Sequence, residues 1–456
     1  MAKLVSQLYS WCVRFAKKKP NAFFTVVVTA LFVYLVFTGY MLCCKYPLLE
    51  LPRVPSSYVL DFNGQTLYEL DFNESQNLTQ VRKSCKEQIN FVFIKGMKCA
   101  TSTLLGVFYR FGYTRNLSFV SPLNDKMYLN WPFPMTRRSF RPSGRGYNIL
   151  TDHAVYTESV MEAIMPKDTL YISIIREPFA QLKSVFQYFK VAKISGVPAN
   201  VSSPVDEYFA HLERYEKAYT DHGAKYRWCV PDGFSMTRNL LSHCHGMPLG
   251  FPPGSEDVSN STAAIDRYIE HLDRKFSLVM IVEYFYESLV LLRRLMCWGF
   301  KDILFINANI AKYDFQTNKI KPETMEAHRN WSNADYRFYR YFNKTLWGHI
   351  SRQGPRFFEE VKEFKIVESL VQDYCQTIYA IGKRSVYPSN VSETVIPQSV
   401  WTDQFTVTPN DCWMLGPNPY ELLHQVQREH DVREAALLAE WNKIPDNRTE
   451  NMKSTC

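Results

Sequence analysis

The 456-residue chain has no C-x-x-C pair and no cluster of histidines and cysteines at zinc spacing. That excludes a zinc-finger or zinc-ribbon reading, and no metal is assigned. Glycine is scarce, 18 residues in all, and G-x-x-x-x-G-K-[ST] does not occur. Its absence argues against an ATP-type phosphate loop, and so against a nucleotide kinase. No internal repeat is visible, which removes solenoids and propellers. Charge is missing from one long stretch, Asn21 to Cys44, which reads NAFFTVVVTALFVYLVFTGYMLCC.

That stretch is long enough to cross roughly 30 Å of hydrocarbon as a helix. Arg14, Lys17, Lys18 and Lys19 precede it, and only Lys45 follows before Glu50. The positive-inside rule then puts the N-terminus in the cytosol and everything after Lys45 in a lumen. A cleaved signal peptide needs a shorter apolar core and a small-x-small cleavage site; neither is clear, so a type II signal-anchor is expected. Nine N-x-S/T sequons, at Asn73, Asn77, Asn116, Asn200, Asn260, Asn330, Asn343, Asn390 and Asn447, all lie beyond the apolar run. Together they point to a glycosylated, lumenal chain. Cys12 falls in the cytosol, and Cys43 and Cys44 at the membrane exit. Of the eight lumenal cysteines, Cys229 with Cys244 is the nearest plausible pair and Cys375 with Cys412 the next. An oxidising lumen permits disulfides, but spacing leaves the pairing open.

Hydrophobic residues make up 46% and charged residues 21%, enough to bury a substantial core. The net charge of +8 fits an anionic ligand, nucleic acid or an anionic membrane surface, and decides nothing alone. Five regions follow: 1–20 cytosolic, 21–44 transmembrane, 45–88 a lumenal stem with prolines and two sequons, 89–387 a catalytic domain, and 388–456 a C-terminal extension. In the domain, short apolar runs at 91–94, 170–175, 276–284 and 302–307 read as buried strands. Amphipathic helices are predicted over 101–112, ending at Gly112, over 178–193 with Pro178 in the first turn, and over 286–298. The end of the extension, QREHDVREAALLAEWNK, reads as an exposed helix. Strands alternating with helices predict an α/β fold with a central, mainly parallel sheet flanked by helices.

The first informative site is FVFIKGMKCATSTLL, residues 91–105. A buried strand runs into Lys95, Gly96, Met97, Lys98, Cys99, Ala100, Thr101, Ser102 and Thr103, and a helix follows. A helix N-terminus presents free N–H groups and the positive end of its dipole. Small residues let a phosphate approach the backbone, hydroxyls add donors, and lysine adds full charge. The competing reading is an ordinary strand-to-helix turn. The second site is IIREPFAQLKSVFQYF, residues 174–189. Arg176 at a strand end and Ser184 on the next helix can converge on one phosphate. Taken alone, the motif reads better as a surface Arg176 paired with Glu177 and a solvated serine.

Together the two motifs, strand-K-x-x-x-[ST]-[ST] and R-x-P-x-x-x-x-x-S, resemble the PAPS-dependent sulfotransferases (PAPS is 3′-phosphoadenosine-5′-phosphosulfate). More narrowly, FIKGMKCATSTLL is similar to the F-L-K-T-H-K-T-A-x-S-T-L-L segment of the galactose 3-O-sulfotransferases, the family that includes galactosylceramide sulfotransferase. Residues 283–309 resemble that family's E-Y-F-x-E-S-L-V-L-L segment and following strand. WSNADYRFYRYFNKTLW (331–347) resembles its W-x-x-x-D-x-x-x-Y-x-x-F-N-x-[ST]-x-W stretch, and TDHAVY (151–156) its N-H-x-R-[FY] segment. The likeness covers about residues 88–385.

The resemblance implies a P-loop-like sulfotransferase fold in the Golgi and PAPS as sulfuryl donor. It implies a galactose-terminated glycolipid or glycoprotein glycan as acceptor, with no nucleic-acid partner. Lys98 would contact the bridging oxygen of the phosphosulfate, with Lys95 adding charge. Cys99, Ala100, Thr101, Ser102 and Thr103 would hold the 5′-phosphate, and Arg176 and Ser184 the 3′-phosphate. Where the family has histidine and threonine, this chain has Met97 and Cys99, which removes a titratable group and a hydroxyl. Proton removal from the acceptor needs a group near neutral pKa, and histidine is the usual one. His153 is the candidate, and its position also resembles the catalytic histidine segment of the heparan sulfate 2-O-sulfotransferases. Glu283 and Glu287 are weaker alternatives. The competing functions are a sulfotransferase for another sugar, such as a glycosaminoglycan uronic acid, and a non-catalytic relative that binds PAPS or glycans, for which Met97 is the best support.

Overall fold

Five consecutive buried residues, Phe91–Lys95, form the strand β1 on which the rest is built. In the computed structural model it pairs in parallel with β2 (Ile149–Leu150) on one side and β3 (Leu170–Ile175) on the other. The fourth strand, β4 (Phe276–Ile281), pairs in parallel with β3, giving the order β2-β1-β3-β4. The structure describes residues 58–60, 66–69, 85–123, 127–223, 226–227, 230–306, 320–381, 393–416 and 419–443. All belong to one unit beginning at Tyr58. The apolar run 21–44, most of the expected stem, Asn73, Asn77, Asn390, Asn447, Cys229 and Cys456 lie outside the described residues. Among the described residues no helix is long and apolar enough to cross a membrane.

Apolar runs without alternation are what a parallel sheet covered on both faces demands. Phe93 packs edge-on and Phe91 at a tilt against Phe108 of helix α1 (Thr101–Thr114), and Trp298 stacks on Phe111 of that helix. Helix α2 (Pro178–Tyr188) follows β3. The short α3 (Leu240–Cys244) and the long α4 (Thr262–Lys275) precede or enter β4. Helices α5 (Phe285–Met296), α6 (Pro322–Trp331), α7 (Asn333–Ser351) and α8 (Phe357–Ile381) follow. Of these, α4, α5 and α7 pack on β4.

Several boundaries differ from the sequence reading, each for a local reason. Helix α1 runs through Gly112 because a Cβ there would sit 2.3 Å from the Phe119 ring, so this glycine serves close packing, not termination. Helix α2 stops at Tyr188, and Lys190 takes a left-handed conformation before a short helix at Val191–Ser195. Strand β4 ends at Ile281, and a 3₁₀ turn at Val282–Tyr284 leads into α5. The strand expected at 302–307 does not form. Phe300–Ile303 is a helical turn, and the guanidinium of Arg110 takes the carbonyls of Lys301, Asp302 and Leu304 at 2.9, 2.8 and 2.8 Å. Those acceptors are unavailable to a ladder.

The C-terminal extension folds onto the core. A hairpin of Thr394–Ile396 and Phe405–Val407 leads to α9 (Pro409–Leu415) and α10 (Pro419–Arg433), both of which pack on α1. The segment expected as an exposed helix is therefore half covered: Gln427 and His430 are buried, and only the final helix, Ala435–Lys443, buries nothing. Disulfides join Cys375 to Cys412 and Cys85 to Cys297, with Cα separations of 5.2 and 5.9 Å. Cys244 is a buried free thiol, so it is not paired with Cys229. Asn116, Asn200, Asn260 and Asn330 are exposed, and Asn343 is half-buried on α7.

Candidate active site

The loop from β1 to α1 is held in a shape few sequences adopt. Lys98 and Ala100 have φ of 61° and 54°, in the left-handed region. Each such non-glycine residue costs of order 1–3 kcal/mol and persists only where its surroundings impose it. Here the Met97 carbonyl is the anchor. It accepts the Gln181 side-chain amide at 2.9 Å and the Cys99 thiol at 3.3 Å. Gly96 is obligatory, because a Cβ would lie 2.6 Å from the Ile174 carbonyl oxygen of β3.

Held this way, the loop delivers α1 with an open N-terminus. Ala100 is its N-cap and no side chain caps it, while the Ala100 carbonyl already takes the N–H groups of Thr103 and Leu104. The N–H groups of Thr101 and Ser102 thus face the loop as unspent donors at the positive end of the dipole. Helix α2 shows the opposite arrangement. The Glu177 carboxylate accepts from the N–H groups of Phe179 and Ala180 at 3.0 and 2.6 Å, so that end already holds its own anion. Glu283 in turn accepts the Glu177 N–H at 3.1 Å and the Tyr339 hydroxyl at 3.3 Å. Glu287 lies 3.7 Å from Lys365. Both glutamates are therefore engaged in structure.

Helix α2 turns one stripe toward the loop. Gln181, Ser184 and Tyr188 follow i, i+3, i+7 spacing, which places them on one face. Gln181 reaches Met97, and the Tyr188 ring lies 3.7 Å from Lys98 Nζ, so buried Ser184 sits on the loop-facing stripe between them. Arg176, at the end of β3, is close enough that its charge lowers the Lys98 pKa, after the larger effect of burial.

Beneath the loop, Lys95 and His153 meet a carboxylate the sequence reading did not single out, Asp152. Lys95 Nζ and Asp152 Oδ1 are 4.0 Å apart with both side chains wholly buried. Tyr109 donates to the other Asp152 oxygen at 3.0 Å. Next in sequence, His153 stacks on Tyr128 with ring centroids 5.3 Å apart. Burial, then Lys95 and Lys98, hold His153 well below its ordinary pKa, so its imidazole is neutral. Three buried polar atoms here, Lys95 Nζ, Asp152 Oδ1 and His153 Nδ1, have no hydrogen-bond partner among the described residues. Buried polar atoms are rarely left unsatisfied, so this convergence is a place where a water or a ligand group would find partners. Met97, by contrast, packs with Trp131, Phe179, Leu240 and Cys244 in an apolar cluster and contributes nothing to the polar face.

Lys95, Lys98, Arg176 and His153 therefore converge, Ser184 faces the same loop, and Thr101 to Thr103 open the helix behind it. Asp152, Gln181, Tyr188 and Tyr128 belong to the same region. Asp152 adjoins His153 in TDHAVY, and helical spacing counted from Ser184 would have flagged Gln181 and Tyr188. Among the described residues no group of three His, Cys, Asp or Glu side chains is placed to hold a metal.

A family profile described as galactose-3-O-sulfotransferase matches residues 16–378. The chain belongs to the galactose-3-O-sulfotransferase family. Human galactose-3-O-sulfotransferase 2 is 32% identical over 272 residues, covering 59% of this chain and 63% of that protein. Human galactosylceramide sulfotransferase is 28% identical over 297 residues, covering 64% and 65%. Human galactose-3-O-sulfotransferase 3 is 30% identical over 284 residues, covering 61% of each. The chain thus spans just under two thirds of the length of these relatives.

Proposed function

We propose that this protein is a PAPS-dependent sulfotransferase of P-loop-like fold that sulfates the 3-OH of galactose on a glycolipid or glycoprotein glycan. The observation that carries the reading is the uncapped N-terminus of α1, set among Lys95, Lys98 and Arg176 while the neighbouring helix end is filled by Glu177. Family membership supplies the chemistry: its named members are galactose-3-O-sulfotransferases and galactosylceramide sulfotransferase.

Sulfuryl transfer breaks the bond between sulfur and the bridging oxygen, forms one to the acceptor oxygen and releases the acceptor proton. The N–H groups and hydroxyls of Thr101 and Ser102, with Thr103, Cys99 and Ala100, cradle the 5′-phosphate. Arg176 and Ser184 take the 3′-phosphate. Lys98 neutralises charge growing on the bridging oxygen, and Lys95 supports it from below; such preorganised charge is commonly the largest catalytic contribution. Neutral His153 takes the acceptor proton. The two lysines that depress its basicity are the ones an anionic donor offsets, so donor binding raises the proton affinity of His153 when it is needed. Met97 turns its side chain into an apolar cluster, so replacing a histidine there leaves the anion-facing groups intact; this favours an active enzyme over a non-catalytic relative.

For localisation we propose a single-pass type II Golgi protein with its catalytic part in the lumen. The uncharged run 21–44, the sequons and the two disulfides support this. The test is transfer of radiolabelled sulfate from PAPS by the full-length chain in detergent. Galactosylceramide, lactose-terminated glycans and a heparan sulfate precursor are offered in parallel, with Lys98→Ala as control. Label on a galactose acceptor, lost in the variant, is the expected result. Label on the heparan precursor alone would move the acceptor to a uronic acid, and no label with the donor product still bound would make the chain a binding protein.

A further inference from the structure

A histidine that takes a proton at one nitrogen is commonly oriented by a hydrogen bond at the other, from a carboxylate or a backbone carbonyl. His153 has no such bond. Its Nδ1 is buried without a partner among the described residues, so Nε2 is the nitrogen that can meet an acceptor hydroxyl. Asp152 adjoins it in sequence but is engaged with other groups, accepting the Tyr109 hydroxyl at 3.0 Å and lying 4.0 Å from Lys95 Nζ.

Aromatic packing confines the imidazole instead. The Tyr128 ring lies over it with 5.3 Å between centroids and 21° between planes. Trp131 stands at a second side, 6.5 Å away and tilted by 54°. Trp131 also packs 5.8 Å from Tyr128 and edge-on against Phe234 at 5.5 Å, so the pair of rings is itself braced. The stack follows from backbone register. Tyr128 and His153 form a parallel bridge, in which the His153 N–H donates to the Met127 carbonyl at 2.9 Å and the Leu129 N–H to the His153 carbonyl at 2.7 Å. Directly paired residues send their side chains to one face, and a slip of one residue would send the tyrosine to the other.

We propose that Tyr128 is a positioning residue, whose ring, stacked on the imidazole, holds His153 Nε2 toward the acceptor hydroxyl in place of the customary hydrogen bond. The inference rests on the reading of His153 as the base. The stack needs the ring and not its hydroxyl, so phenylalanine is the conservative replacement.

The test is steady-state transfer of radiolabelled sulfate from PAPS to galactosylceramide and to lactose-terminated glycans by the full-length chain. The proteins are wild type, Tyr128→Phe, Tyr128→Leu, His153→Ala and the Tyr128→Leu/His153→Ala double variant. Rates are taken at a temperature where circular dichroism shows each one folded, and Tyr128→Met replaces the leucine variant should that one not fold. Tyr128→Leu is expected to lower kcat roughly ten- to hundredfold, the scale of a misplaced catalytic group, while both KM values hold. Tyr128→Phe keeps the wild-type kcat. His153→Ala loses about 100- to 10,000-fold, and adding Tyr128→Leu to it loses nothing more, because the ring acts only through the imidazole. Wild-type kcat in Tyr128→Leu, a further loss in the double variant, a change confined to KM, or Tyr128→Phe as slow as Tyr128→Leu each overturns the positioning role. Wild-type kcat in His153→Ala overturns the base reading, and this inference with it. A wild-type chain that labels neither acceptor overturns the galactose sulfotransferase reading as well.

Discussion

Lys95 Nζ lies 4.0 Å from Asp152 Oδ1, both side chains wholly buried, too far apart for a hydrogen bond and close enough for each to sense the other's charge. Burial draws Lys95 down to about 8, with Asp152 opposing, and pushes Asp152 up to about 6, with Lys95 opposing. Between those values both groups carry charge. Both shifts disfavour the charged forms. The pair therefore lowers stability most between about 6 and about 8, and less as pH moves down toward 3.8 or up toward 10.5.

Donor affinity follows the lysine proton. It falls as pH rises through about 8, where Lys95 becomes neutral. In Asp152→Asn the supporting charge is gone, so Lys95 loses its proton at lower pH and the fall begins earlier. Calorimetry with the desulfated donor across this range checks it. Superimposable pH profiles for the two proteins would remove Asp152 from any role in setting the charge of Lys95.

Lys98 rests against a half-exposed ring, Tyr188 being 53% exposed, and a cation–π contact at such a site contributes about 0.5–1 kcal/mol. Lys98→Ala therefore changes unfolding free energy by no more than about 1 kcal/mol, while sulfuryl transfer falls about 100- to 1000-fold. Tyr188→Leu gives the same small stability change and only a few-fold loss of transfer. Urea unfolding beside a sulfate-transfer assay separates the two. A Lys98→Ala stability loss of several kcal/mol would assign the lysine to folding.

Gly96→Ala forces a methyl group against the Ile174 carbonyl of the central sheet. Backbone in a parallel ladder cannot yield cheaply, and overpacking of this kind costs about 1–3 kcal/mol. A lowered thermal midpoint and weakened donor binding are expected together, because the displaced residue begins the loop. Normal binding in a destabilised variant would mean that the loop tolerates displacement.

The two disulfides among the described residues differ in what they hold. Cys375–Cys412 closes 37 residues and Cys85–Cys297 closes 212, which chain entropy values at about 4 and about 5 kcal/mol. Cys412→Ser is expected to lower both stability and donor affinity, because α9 and α10, which pack on the helix that opens the loop, loosen. Cys85→Ser is expected to lower stability alone, because it frees the end of β1 remote from the loop. Equal effects of the two variants on donor affinity would contradict this division.

The legible part of the fold was the part written in unbroken apolar runs. FVFI, LYISII and FSLVMI are strands because a sheet covered on both faces needs every residue to be apolar. DILFIN misled because the acceptors of its backbone are taken by Arg110, almost two hundred residues earlier, and no local pattern records that. The site was legible wherever a motif concentrated charge, as at Lys95, Lys98 and Arg176. Asp152 escaped notice because a lone carboxylate is usually a solvated one, and only burial opposite Lys95 gives it a role. The packing of α10 on α1 could not be found at all: the C-terminal segment carries no motif, and its partner helix is remote in sequence. Pairing of Cys375 with Cys412 stood among the options left open, whereas Cys85 with Cys297 required knowing that the start of β1 lies against the end of α5.

The fit of α10 against α1 brings together residues as far apart as Tyr113 and Gln425, separated by 312 positions. A nascent chain emerging at about 5–20 residues per second displays α1 many seconds before the helix that packs on it has been made. Through that interval the apolar flank of α1 stands uncovered, open to chaperones. Chains that stop short of α10 leave bare an apolar surface that only a nearly complete molecule hides.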